Sequence, residues 1–204
     1  MIETVKRYSM LQRSALQDLY DYASITRDLP GCVVECGVAN GGSAAVLWAA
    51  AGVERTLWLF DSFQGLPRPT EPDGGRAYAQ HDYRSKLPEG WCRGDINNVQ
   101  AVVSMVGSLN NVEIVPGWLA ETLPEAFLRI GPIAALHIDV DFYEPTLAAL
   151  SWLHPLVVTG GAVVVDDYSA WEGCKKAVDE FLQTVMVDDY HQIGSPVYWR
   201  KVAA

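Results

Sequence analysis

The sequence has no CxxC spacing, no excess of basic residues, no internal repeat, no charge block and no apolar run of membrane-spanning length. Each absence removes a class of protein. Its four cysteines, Cys32, Cys36, Cys92 and Cys174, lack the paired spacing of a zinc site or a dithiol, so Cys32 and Cys36 read as core thiols. Fifteen Lys and Arg against 25 Asp and Glu give a net charge of −10, which repels nucleic-acid phosphates and anionic lipid. The longest nearly continuous apolar stretch, 44–53, has the length of a buried helix rather than a bilayer span. Charges scattered through Met1 to Tyr8 do not read as a secretion signal, and a cytoplasmic location is the expectation.

What the sequence does have is core material. Half of its 204 residues are apolar and a fifth charged, enough for one domain over 1–204. Short apolar or β-branched runs at 32–35, 56–60, 112–115, 133–138 and 162–165 alternate with segments of helical spacing. Strand and helix in alternation predict an α/β fold with five parallel strands in a doubly wound, Rossmann-like sheet. The runs are apolar throughout instead of alternating, as strands covered on both faces require. A last helix at about 172–185 precedes two short runs around Gly194-Ser-Pro196, read as a β-hairpin on a sheet edge. Residues 1–30 supply one or two covering helices. The stretch 64–95, rich in Gly, Pro and charge without a clear period, reads as a structureless lid over the site.

In such sheets ligands bind at the carboxyl ends of the strands. The first strand runs into Glu35-Cys-Gly37-Val38-Ala-Asn40-Gly41-Gly-Ser43, an acid followed by a Gly-rich turn that opens a helix. The second ends in Asp61-Ser62, where a carboxylate can take two hydrogen bonds from a ribose diol. The spacing is not that of a dinucleotide fingerprint, and Glu35 would repel a pyrophosphate there. A ligand with a cationic amine suits it better, and S-adenosylmethionine joins an ammonium, a sulfonium, a ribose and an adenine. A nicotinamide cofactor is the weakest alternative.

The fourth strand leads through His137 and Ile138 to Asp139-Val-Asp141, and the fifth leads to Asp166-Asp167. As sheet neighbours, these ends bring Asp139, Asp166 and Asp167 within a few ångströms of one another, a repulsion that a hard divalent ion, Mg²⁺, would settle. Asp141 and Glu144 fit better as acids favouring the amino end of a helix at about 143–154. An ion beside a sulfonium would lower the pKa of a substrate hydroxyl and hold it in line with the methyl group.

Together, Glu35-Cys-Gly-Val-Ala-Asn-Gly-Gly42, Phe60-Asp-Ser-Phe-Gln-Gly-Leu-Pro67, Gly117-Trp-Leu-Ala-Glu-Thr-Leu-Pro124, Asp139-Val-Asp-Phe-Tyr-Glu-Pro-Thr146, Gly160-Gly161 and Asp166-Asp-Tyr168 resemble the macrocin and mycinamicin sugar O-methyltransferases, from about Tyr8 to Lys201. The resemblance implies a class I methyltransferase fold, S-adenosylmethionine, Mg²⁺ and methylation of a hydroxyl on a small-molecule acceptor, often a glycoside. By position it makes Asp139, Asp166 and Asp167 metal ligands, Glu35, Gly37 and Asp61 cofactor contacts, and Gly117-Trp118 a wall near the adenine. Phe142 stands where metal-dependent catechol-type relatives carry a lysine, so the base lies elsewhere: Asp139, or His137 two residues earlier on the strand, with His81 and His191 as further candidates. The amino-terminal segment is shorter than in the sugar methyltransferases, and that region helps shape their acceptor site. Tyr143, Tyr168, His81 and Tyr83 are the candidates for acceptor contact, and a dimer or higher homo-oligomer is expected. Two other readings remain: a cofactor-binding scaffold that catalyses a different reaction, such as a cyclisation, and a binding module without catalysis.

Overall fold

A computed structural model describes residues 1–84, 86 and 91–203. In chain order its helices are α1 (Ile2–Val5), α2 (Arg13–Ser24), α3 (Gly42–Ala51), α4 (Gly74–Arg84), α5 (Ile96–Val103), α6 (Leu119–Ile130), α7 (Tyr143–Leu153) and α8 (Glu172–Leu182). The strands are β1 (Cys32–Cys36), β2 (Leu57–Asp61), β3 (Val112–Pro116), β4 (Ile133–Ile138), β5 (Val157–Val165), β6 (Val187–Gln192) and β7 (Val197–Lys201). They form one sheet in the order β3-β2-β1-β4-β5-β7-β6, the first five parallel and the closing hairpin antiparallel.

Every residue of β1 and β4 is buried, which explains their unbroken apolar character. The period of two still sorts their side chains. Val33, Leu57, Leu59, Ala135 and Val164 face one layer built on α2, α3 and α5, with Trp48 at its centre. Val34, Trp58, Phe60, Leu136, Ile138, Val163 and Val165 face the other, packed by Leu123 of α6, Leu150 of α7 and Phe181 of α8. Helix α3 is buried nearly all round because α2 and α5 cover the faces that the sheet does not.

Three expectations change. The fifth strand begins at Val157, five residues earlier than 162, because Val157 already pairs with Ile133 of β4, and a register irregularity before Ala162 takes up Gly160 and Gly161. The last helix stops at Leu182 instead of about 185. The segment 64–95 is not structureless: a 3₁₀ turn at Glu71–Asp73 and helix α4 occupy its middle, while residues 85 and 87–90 lie outside the described part. The cause is nonlocal, since Ala77 is α4's only buried residue and packs in a small cluster with Trp91 and Phe142. Among the described residues, no helix is long and apolar enough to cross a membrane.

Candidate active site

The carboxyl ends of β1, β2 and β4 open onto one cavity of about 290 Å³. Its lining includes Gly37, Asp61, Ser62 and Trp118, together with Asp139, Asp141 and Glu144, and with Met10, Leu66, Pro67 and Cys92. Gly37 sits at φ +86°, a left-handed conformation, and a Cβ there would lie 1.7 Å from the carbonyl oxygen of Asp139. Glycine is what lets the first turn touch the backbone of the fourth strand's end.

Asp61 is answered by the chain itself. Its Oδ2 accepts the backbone N–H groups of Val38 and Ala39, both at 2.8 Å, and its Oδ1 accepts that of Phe63 at 2.6 Å. The carboxylate thus organises the Gly-rich turn and keeps acceptor capacity on Oδ1 for a ligand hydroxyl.

The other carboxylates have no such answer. Asp139, Asp166 and Asp167 bring ligand oxygens within 4.8 Å of one another. The backbone N–H of Asp141 donates to Asp167 Oδ2 at 3.0 Å, and among the described residues none of the three pairs with a Lys or Arg. Burial, followed by the charges of Asp166, Asp141 and Glu35, pushes the Asp139 carboxyl well above the usual carboxylate range. Asp167 is raised by burial and by Asp141, Asp139 and Asp166, and Asp166 is raised by burial while His137 opposes the shift. Burial and mutual repulsion favour the protonated carboxyls of this cluster unless a cation offsets them. Converging oxygen donors fit a hard divalent ion, and Asp139 connects the cluster to the cavity.

Of the residues expected at a cofactor, Gly37, Asp61, Ser62 and Trp118 line the cavity, whereas Val38, Asn40, Gly41, Ser43 and Gly117 stand behind it. Val38 acts through its backbone, Asn40 accepts from the Asn98 amide at 3.0 Å, and Gly41 begins α3 at φ +86°. Gly117 holds φ +140° just before Trp118. Glu35 is fully buried and hydrogen-bonded to its cross-strand neighbour, with His137 Nδ1 2.7 Å from Glu35 Oε1. Neither lines the cavity.

The acceptor candidates are not gathered at the cavity. Tyr143 donates from its hydroxyl to Glu180, Tyr168 donates to Asp179 and accepts from Lys175, and Tyr83 is exposed. His81 lies on α4 with its ring centroid 6.2 Å from that of Trp91, and His191 stacks on Tyr198 at the far hairpin. Asp141 is the residue that sequence reasoning misplaced. Instead of serving the helix end, it turns at φ +61° into the cavity wall, and burial pushes its carboxyl up to about 7, opposed by the Trp171 indole. Its left-handed backbone had no sequence signal, since aspartate at such a position is only tolerated.

The family model for Macrocin-O-methyltransferase (TylF) matches residues 5–201. The chain is 36% identical over 187 residues to demethyldecarbamoylnovobiocin O-methyltransferase of Streptomyces niveus, covering 87% of this chain and 68% of that protein. It is 32% identical over 211 residues to mycinamicin III 3''-O-methyltransferase of Micromonospora griseorubida, covering 98% and 77%. Among solved structures it is similar to the O-methyltransferase NovP, with a TM-score of 0.81, 31% identity and coverage of 96% of this chain and 83% of that one.

Proposed function

The chain belongs to the macrocin O-methyltransferase family, and on that premise we propose that it transfers the methyl group of S-adenosylmethionine to a sugar hydroxyl of a small glycosylated molecule, using Mg²⁺. The observation that carries this reading is that Asp61 and Asp139 border one and the same cavity, with Asp166 and Asp167 beside Asp139. Gly37 and Asp61 would hold the ribose and amino-acid parts of the cofactor, with Ser62 beside them and Trp118 against the adenine. Asp139, Asp166 and Asp167 would hold the divalent ion, which when bound supplies positive charge that eases deprotonation of a nearby hydroxyl.

The remaining work falls to side chains already in place. Asp139 and Asp141 border the cavity, and a carboxylate oxygen of Asp141 would take the proton of the acceptor hydroxyl. S-adenosylmethionine, when bound, would supply the methyl group, whose carbon–sulfur bond would break as the acceptor oxygen bonds to it, leaving S-adenosylhomocysteine. Met10, Leu66 and Pro67 line the cavity and would help keep water out of it.

The test is to incubate the protein with S-adenosylmethionine and a panel of glycosylated small molecules, and to measure S-adenosylhomocysteine with Mg²⁺ or with EDTA. Methylated glycoside that disappears with EDTA is expected. Full turnover in EDTA would overturn the metal assignment, and cofactor consumption without a methylated product would overturn the transfer.

A further inference from the structure

Asp73 is a carboxylate only 2% exposed that takes no part in the cavity. Its Oδ2 accepts the backbone N–H of Thr70 at 2.7 Å and the Thr70 hydroxyl at 3.0 Å, closing a capping box around the 3₁₀ turn. Its Oδ1 reaches across the fold and accepts the N–H of Tyr143 at 2.7 Å. Tyr143 opens α7, and Phe142 before it supplies no side-chain cap; α8 likewise begins after Trp171 without one. In the first turn of α8, a Cβ on Gly173 would lie 2.1 Å from Asp73 Oδ1 and 2.9 Å from Tyr143 N, so the missing side chain makes room for this carboxylate.

Helices α7 and α8 are the two that follow the acidic loops. Asp139 and Asp141 lead directly into α7, and Asp166 and Asp167 precede α8 by a single turn. One negative side chain from segment 64–84 therefore sits where two uncapped helix starts meet, satisfying an orphan N–H and complementing both positive ends. Around it, Arg76 donates to the carbonyl of Ala170 at 3.1 Å, and Trp91, Phe142 and Trp171 pack edge to face.

We propose that Asp73 is a positioning residue: by capping α7 from outside that helix and seating against α8, it holds the ends of β4 and β5 at the spacing the cation site requires. The inference rests on the reading of Asp139, Asp166 and Asp167 as cation ligands. The capping bond to Tyr143, rather than the bonds to Thr70, is the part that acts on the cation. Asn at this position keeps an oxygen for Tyr143 and loses an acceptor for Thr70, so the two functions separate.

The experiment compares Mn²⁺ binding by calorimetry in the wild type, Asp73→Ala and Asp73→Asn, with S-adenosylmethionine affinity measured in EDTA on the same samples. Outer partners of metal ligands set affinity, so Asp73→Ala should bind Mn²⁺ about tenfold more weakly and Asp73→Asn within about threefold of the wild type. Cofactor affinity in EDTA should be unchanged in both, which a general loss of structure would not allow. Should Asp73→Ala fail to fold, Gly173→Ala takes its place, crowding the carboxylate instead of deleting it, with the same tenfold loss expected. Mn²⁺ affinity in Asp73→Ala equal to the wild type, or an Asn variant as weak as the Ala variant, overturns the positioning role alone. A wild-type protein that binds no Mn²⁺ overturns the cation reading and this proposal with it.

Discussion

Asp61 and the Asp139–Asp166–Asp167 cluster stand at the same edge of one sheet, and the chain treats them in opposite ways. Three backbone N–H groups converge on Asp61 and satisfy both of its carboxylate oxygens. The cluster receives little from the chain beyond the N–H of Asp141, and its carboxyls are driven upward by burial and by one another. A partly buried anion with internal donors shapes a loop, whereas a group of partly buried carboxyls without them has the oxygen donors a divalent ion would take. The two regions meet at Gly37, whose missing Cβ lets the first turn lie against the carbonyl of Asp139.

That junction is where the comparison breaks most severely. Gly37→Ala would place a methyl group 1.7 Å from backbone at φ +86°, so it should cost about 3 kcal/mol or more and disable both ends together. Chemical denaturation and cofactor titration of that variant would check it. Asp166→Ala should act on one end only, lowering methyl transfer roughly a hundredfold or more while cofactor affinity in EDTA holds. Asp61→Ala should do the reverse: three N–H groups lose their acceptor, and S-adenosylmethionine binding should weaken by roughly tenfold with Mn²⁺ affinity kept.

The smallest effect is on stability against pH. Carboxyls raised in the folded state stabilise it fully below their ordinary values near 4, and that contribution is lost as pH rises through the raised ones, about 7 for Asp141. The metal-free protein should therefore lose stability between about pH 4 and pH 7. Saturating Mg²⁺ should raise the thermal midpoint about 2–4 °C more at pH 8 than at pH 5, as differential scanning calorimetry would show.

Much of this was legible in the residues, and the reasons differ by region. The parallel strands announced themselves because burial on both faces leaves few polar positions, as in Ile133–Ile138. The acidic cluster was legible because β4 and β5 are neighbours in register, Ile138 beside Val165, so residues one step beyond must converge. Helix α4 was not, since Gly74, Gly75 and a polar run give it no apolar face, and Asp73 and the Trp91–Phe142–Trp171 cluster hold it from a distance. Glu35 was read correctly as an acid at the end of β1 but not as His137's partner. Its cross-strand pairing depends on register with a strand a hundred residues away in sequence. Asp141 was lost to a single left-handed backbone angle.

The central claim, that one cavity joins a cofactor edge to a separate cation edge, is tested most directly by calorimetric titration of S-adenosylmethionine and Mg²⁺ into the wild type, Asp61→Ala and Asp166→Ala. The account predicts that Asp166→Ala loses the Mg²⁺ heat and keeps the cofactor, and that Asp61→Ala keeps Mg²⁺ and weakens the cofactor. Mg²⁺ bound by Asp166→Ala with wild-type affinity would contradict it.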